Sequence, residues 1–316
     1  MTPEFALIAK YFSRMPKRAT LGVGDDCALF QHSHGFEIAV STDTLVAGTH
    51  FFPDANPRDL GHKALAVNLS DLAAMGAVPR AVLLAITLPS VDDHWLSEFA
   101  SGFWALADAH GVDLIGGDTT RGPLSMTLTV LGEIESGRAL RRDGAQAGDD
   151  LWVSGELGGA ALALRHLTGE VKLSEHDARS VLPRLHQPQP RIALGRALVE
   201  EANSAIDISD GLIADVGHLC ERSGLGAVIE WDRMPMQDAL RAQPEAVRQS
   251  CVLAGGDDYE MAFTAPVALR DTILALTNVT RIGNMTGEVQ GVQVMDSSGN
   301  AIPLLHRGFD HFAGQG

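Results

Sequence analysis

Apolar positions along the chain recur with two alternating periods, one near 3.6 residues and one of 2, and this alternation predicts an α/β protein. Residues 4–14 carry an amphipathic helical pattern, residues 37–42 a short strand and residues 60–75 a strongly apolar helix. A buried strand is predicted over 81–88. The helix over 94–110 sets Trp95, Phe99, Phe103 and Leu106 near helical spacing, which reads as packing. Residues 112–115 form a strand closed by Gly116-Gly117, and residues 125–134 alternate as a half-buried strand. A polar break follows over 135–150, with Gly137, Gly144 and Gly148 among charges. Alternation resumes with a strand over 151–154. Helices are predicted over 158–167, 191–201, 212–222 and 267–276, and strands over 205–208, 227–230, 260–264, 281–284 and 289–295. Residues 173–190, with three prolines, read as a short helix followed by a linker.

At 316 residues the chain is long enough for two domains, and the break places the boundary near residue 140. The expected division is an N-terminal domain over 1–140 and a C-terminal domain over 141–316. No period of 20–50 residues recurs.

Charge narrows the partners. Lysine and arginine total 24 against 40 aspartates and glutamates, a net charge of −16 that repels nucleic-acid phosphates and anionic membranes. No apolar run approaches the roughly 20 residues needed to span a bilayer. Residues 1–5 carry no basic region ahead of an apolar stretch, so no signal peptide is expected and a soluble cytoplasmic chain is. The three cysteines, Cys27, Cys220 and Cys251, are far apart and form no CxxC, which argues against a disulfide framework or thiolate zinc site. None of the 12 histidines falls in an HExxH pattern.

The candidate chemistry lies in six segments that join aspartate to glycine or small hydroxyl residues. They are Gly22-Val-Gly24-Asp25-Asp26, Ser41-Thr42-Asp43, Asn68-Leu-Ser70-Asp71, Gly116-Gly117-Asp118-Thr119-Thr120, Asp207-Ile-Ser209-Asp210-Gly211 and Gly255-Gly256-Asp257-Asp258-Tyr259. Aspartate supplies hard oxygen ligands for Mg²⁺, and glycine lets a backbone approach phosphate. Taken singly, each segment is equally the signature of a turn or a helix cap. Asp71 is the exception. It sits inside an apolar helical run, where an unpaired carboxylate costs several kcal/mol of desolvation, so a cation or a strong partner is expected. Neither a GxxxxGK[ST] loop, a complete GxGxxG nor a GxSxG elbow occurs. Any nucleotide chemistry therefore runs through metal ions on carboxylates rather than a lysine cradle.

As an ordered set, these segments resemble the thiamine-monophosphate kinase family of the aminoimidazole-ribonucleotide-synthetase (PurM-like) superfamily. The resemblance runs from Phe5 to Gly308-Phe309-Asp310-His311-Phe312. It implies a two-domain α/β PurM-like fold, with an N-terminal α/β dimerisation domain that binds ATP and Mg²⁺, a C-terminal α/β domain, and assembly as a homodimer. It implies transfer of the γ-phosphoryl of ATP to thiamine monophosphate, with several Mg²⁺ ions. Carried over by motif, Asp26, Ser41, Thr42, Asp43, Asp71, Asp118, Asp207 and Asp210 would hold Mg²⁺. Gly117, Asp118, Arg142 and Ser209 would contact ATP, and His50, Asp257 and Phe309 would face thiamine monophosphate. Asp257 stands where the family has glutamate, and reaches about one methylene less. Phe309 stands where a tyrosine is frequent, keeping a stacking face and losing a hydroxyl.

The acidic character fits this chemistry, because two polyanionic substrates must be screened and carboxylates hold the screening Mg²⁺. The acceptor is a phosphate oxygen already ionised at pH 7, so neither a general base nor a covalent nucleophile is predicted. The expected mechanism is direct in-line transfer by positioning and charge stabilisation. The rival readings are another ATP-dependent synthetase of the superfamily and a metal-dependent nucleotide-binding regulator without turnover.

Overall fold

Two sheets of different make-up organise the molecule, seen in a computed structural model that describes residues 6–19, 23, 31–288 and 290–304. The chain divides into one unit of Met1–Ala73 with Ala77–Ala139, and a second of Ala74–Gly76 with Leu140–Gly316.

In the first unit a short helix of π geometry, α1 (Ile8–Phe12), precedes β1 (Phe36–Val46), α2 (Pro57–Ala74), β2 (Val78–Leu88), α3 (Asp93–His110), β3 (Asp113–Arg121) and β4 (Ser125–Glu135). The strands form one sheet in the order β1-β4-β2-β3. β1 and β2 run antiparallel to β4, and β3 is parallel to β2, the pair being joined through α3 as a parallel crossover requires. Burial explains the helices. α2 mixes polar and apolar residues, and its residues 63–70 are buried on every side. α3 begins at Asp92, whose carboxylate accepts from the His94 and Trp95 N–H groups at 2.9 and 3.0 Å, and ends at Gly111 with φ 65°. Phe99 and Phe103 are fully buried, and Trp95 stacks on Phe99 at 5.2 Å, as their spacing predicts.

β3 departs from expectation. It does not close at Gly116-Gly117 but runs through both glycines to Arg121, because each pairs with a residue of β2. At Gly117 (φ 148°) a Cβ would sit 1.8 Å from the Leu84 carbonyl oxygen, so the glycine is what lets the strands approach.

The second unit holds a six-stranded sheet in the order β10-β7-β9-β5-β8-β6. Its strands are β5 (Asp150–Ser154), β6 (Ser204–Ile208), β7 (Gly226–Glu230), β8 (Glu260–Ala265), β9 (Val279–Thr286) and β10 (Gly291–Met295). Helices α4 (Gly159–Leu167), α5 (Glu175–His186), α6 (Ile192–Leu198), α7 (Leu212–Ser223), α8 (Asp238–Arg241), α9 (Glu245–Ala254) and α10 (Arg270–Leu274) lie between them. Leu151, Val153, Ile206 and Ile208 join Val216, Leu219 and Val252 in the main core, whereas Trp152 alternates away and stacks on Phe263 at 6.3 Å. α5 extends through Pro183 to His186, longer than its prolines suggest; Ser174 caps it by accepting the Asp177 N–H at 3.1 Å. α8 and α9 are elements the apolar periodicity does not predict. Cys220 and Cys251 are buried free thiols, both pushed up to about 11 by burial. Among the described residues no helix is long and apolar enough to cross a membrane.

Candidate active site

β1 and α2 assemble the first cluster. Among the described residues β1 pairs with β4 alone, and alternation turns Ser41 and Asp43 to the same face. The Ser41 hydroxyl donates to Asp71 Oδ2 at 2.5 Å, so the carboxylate in the apolar helix has the strong partner its position demands. The Asp43 N–H donates to Asn68 Oδ1 at 3.1 Å, and Asn68 Nδ2 donates to the Ala64 carbonyl at 3.0 Å. Asn68 is fully buried and lies one turn before Asp71, so one face of α2 sets both the backbone of Asp43 and the partner of Asp71.

Other residues assigned to this set lie elsewhere in the unit. The Thr42 side chain points to the opposite face, where its hydroxyl meets Thr129 at 2.9 Å, and Thr44 meets Thr127 at 2.8 Å. Asp118 aligns with Ala85, Thr127 and Thr44 across the sheet, and so shares the threonine face on β3, at the edge remote from β1. Three strand spacings separate those edges, about 14 Å. His50 lies just beyond β1 and accepts the Val46 N–H on Nδ1 at 3.0 Å.

The second unit builds its cluster where β6 meets α7. Asp207, 4% exposed, ends in a loop of Ser209, Asp210 and Gly211. One oxygen of Asp215, Oδ2, accepts the N–H groups of Ser209, Asp210 and Gly211 at 3.0, 3.1 and 3.1 Å. Burial, with the Asp210 charge adding to it, pushes the Asp215 carboxyl up to about 7. Gly211 has φ 120°, and a Cβ there would lie 2.9 Å from the Ala254 backbone.

The segment ahead of β8 runs antiparallel beside this loop. The Asp257 N–H donates to the Ser209 carbonyl at 2.9 Å, and the Tyr259 N–H to that of Ile208 at 2.8 Å. Asp257 and Tyr259 both adopt positive φ, 67° and 49°, and the Tyr259 hydroxyl donates to Asp257 Oδ1 at 3.1 Å. Asp207, Ser209, Asp210 and Asp257 are thus brought together. Their neighbours anchor them. Asp258 turns inward and accepts the Gly158 N–H at 2.8 Å at the start of α4, and burial pushes its carboxyl up to about 8. Glu260, 1% exposed, accepts from Ser154 at 2.5 Å and from both forks of the Arg191 guanidinium.

Arg142 is exposed, with its carbonyl accepting from Ser223 at 3.0 Å. Asp26 and Phe309 lie outside the described residues. Among the described residues no three His, Cys, Asp or Glu side chains stand ready-made around one ion. The donors present are nonetheless all hard oxygens, the set suited to Mg²⁺, with Ser41, Asp43 and Asp71 in one unit and Asp207 and Asp210 in the other.

Comparison with known proteins identifies the lineage. Residues 24–134 match the N-terminal domain of the AIR synthase related proteins, and residues 146–294 match their C-terminal domain. Thiamine-monophosphate kinase of Escherichia coli (strain K12) is 47% identical over 322 residues, covering 98% of both chains. The chain belongs to the thiamine-monophosphate kinase family. A crystal structure of thiamine-monophosphate kinase from Stenotrophomonas maltophilia superposes with a TM-score of 0.85 at 44% identity, covering 94% of this chain and 96% of that one. A structure described as AaThiL complexed with AMPPCP and TMP gives a TM-score of 0.79 at 30% identity, with 92% of each chain covered. The two-domain α/β architecture is that of the thiamine-monophosphate kinases.

Sequence reasoning missed Asn68 and Asp215 as positioning residues. The signal that found Asp71 was present for both: a carboxylate or amide inside an apolar helical run, Leu212-Ile-Ala-Asp215-Val216 in the second case. In Gly256-Asp257-Asp258 it is the first aspartate that stands beside Ser209, while the second is structural.

Proposed function

We propose that this chain transfers the γ-phosphoryl group of ATP to thiamine monophosphate, giving thiamine diphosphate and ADP, with Mg²⁺ and by direct in-line displacement. The observation that carries the reading is the full-length similarity to thiamine-monophosphate kinases together with the juxtaposition of Ser209 and Asp257, which sets a nucleotide-side residue beside a substrate-side one. Asp43, Asp71 and Ser41, with Asp207 and Asp210, are the residues that would hold Mg²⁺. Bound there, the ions supply neutralisation of polyphosphate charge.

The protein's own part is positioning. Asn68 and Asp215 fix the backbones that carry the ligands, and Asp257, braced by Tyr259, faces the acceptor end. The acceptor oxygen arrives ionised, so no side chain needs to take its proton and no phospho-enzyme is formed. A substrate such as ATP supports a cytoplasmic place of action.

A homodimer is part of the same reading. The sheet face carrying Val40, Thr42, Thr44 and Val46 is exposed, Val40 at 59% and Val46 at 37%, and that apolar area suits a self-complementary contact. Light scattering of the native chain and of Val40→Glu tests it: a dimer that becomes monomeric is expected, and a native monomer would overturn it.

The deciding assay is ADP release from Mg·ATP with and without thiamine monophosphate, with mass detection of the product. Thiamine diphosphate formed one-for-one with ADP is expected. ATP binding without turnover would favour the regulator, and turnover with a different acceptor a sister synthetase.

A further inference from the structure

A polar cavity, about 440 Å³ in volume, opens in the C-terminal unit. Trp152, Glu230, Arg233, Arg270, Leu274 and Arg281 line it. None of them belongs to the six aspartate segments or to the loops around Ser209 and Asp257.

Arg270 grips Asp150 with Nε and Nη2 at 2.7 and 2.8 Å, and Arg281 bridges Asp150 and Glu230, each at 2.6 Å. Arg233 donates Nε to Glu230 at 2.5 Å. Burial raises both carboxyls, and the guanidiniums more than offset it, so Asp150 and Glu230 are ionised. Three guanidiniums meet two carboxylates here, and the Asp271 carboxylate adds a negative charge beside Arg270.

Donors also remain. Nη1 of Arg270, Nη2 of Arg281 and both terminal nitrogens of Arg233 make no hydrogen bond among the described residues. Trp152 lies on the same wall and is 1% exposed.

The three guanidiniums come from three separate elements: the 3₁₀ turn Trp231–Arg233, α10 and β9. A carboxylate offers two oxygens in one plane, whereas a phosphate group offers three in a tetrahedral array that forks from several directions can share. We propose that this cavity is a binding site for a small phosphate-bearing anion, separate from the phosphoryl-transfer site.

The test follows the indole N–H signals of the ¹⁵N-labelled full chain. The chain has four tryptophans, and Trp152→Phe assigns the relevant signal. Inorganic phosphate and, separately, AMP are titrated at low ionic strength with EDTA present, which removes metal-dependent binding elsewhere. A saturable shift of the Trp152 signal is expected, with Kd raised about tenfold or more in Arg233→Ala, the loss of a little over 1 kcal/mol. Arg233 is the most exposed of the three, with 54% of its side chain accessible, so its removal spares the fold. Arg270→Ala is expected to give the same loss from a different element. Tighter binding of AMP than of phosphate assigns an organic phosphate as the occupant; equal affinity assigns the free ion. No shift at Trp152 with either probe, or a shift unchanged in both arginine variants, overturns the proposal.

Discussion

Asp71 accepts a short hydrogen bond from Ser41, and Leu69, Leu72 and Ala73 beside it on the helix are buried. An amide fits the same space and can still accept from Ser41, but carries no charge. We expect Asp71→Asn to change the melting temperature of the metal-free protein little and to reduce turnover by about tenfold or more, as removal of a charge that acts on the transition state does. A melt lowered in proportion to activity would mark the residue as structural. Asp215 predicts the opposite balance. Its single oxygen satisfies three N–H groups, so Asp215→Ala leaves buried donors bare and is expected to cost about 3 kcal/mol or more in urea unfolding. Asp215→Asn keeps one acceptor and recovers part of that loss. The sequence announces Asp71 and Asp215 by the same sign, an acid in an apolar run, but it cannot say which acid meets a hydroxyl across the strand and which folds back on its own loop. That distinction rests on contacts between residues 30 apart for Ser41 and Asp71, against 4 to 6 apart for Asp215.

Among elements, β8 is tied down at its first residue. Glu260 joins β8 to Ser154 of β5 and to Arg191 ahead of α6, and Arg184 of α5 approaches at 3.5 Å. Removing one partner of a buried pair leaves an uncompensated charge, so Glu260→Ala is expected to destabilise the protein by about 3–5 kcal/mol. Thermal melts at low and high salt check it: a buried pair is screened little, and the deficit should persist at high salt. The elements were legible wherever a long apolar face made them. α3 is one such element, with its aromatic stripe, and β4 another, with its alternation of covered and half-covered residues. Legibility failed where local chemistry and tertiary pairing disagreed. Gly116-Gly117 has the composition of a turn and the structure of a strand, because β2 supplies pairing that no local pattern encodes. α9 was invisible because its buried residues, Cys251, Val252 and Leu253, cluster at one end rather than recur along a face. In the site, the residue types were readable and their facing was not: Thr42 stands between Ser41 and Asp43, and alternation sends it to the other side of the sheet.

For the whole molecule, stability carries a pH dependence set inside the C-terminal unit. Burial raises the Asp258 carboxyl from the ordinary 3.8 to about 8. Between those values the folded chain holds a proton that the unfolded chain has released, so stability is greatest at the acid end and falls as pH rises through about 8. Urea unfolding at pH 5.5 and 8.5 measures the difference, and Asp258→Asn, neutral throughout, is expected to reduce it, leaving the share that the raised Asp215 carboxyl contributes with the same sign. A slope that is unchanged in the variant would assign the effect to other groups. Asp258 also holds the start of α4 through Gly158, so this dependence is a property of the fold that surrounds Asp257 rather than of Asp257 itself.

The three-donor grip of Asp215 has a chemical consequence for the loop it holds. Successive N–H groups ahead of a helix ordinarily form a concave, electropositive cup in which a phosphate oxygen settles. Here the cup between β6 and α7 is already filled by the protein's own carboxylate. The Ser209 carbonyl is taken by the Asp257 N–H, and the half-buried Asp210 adds a second negative charge beside Asp215. With the Asp215 carboxylate in place the cup is closed to a second anion, so the loop between β6 and α7 does not act as a phosphate-binding nest.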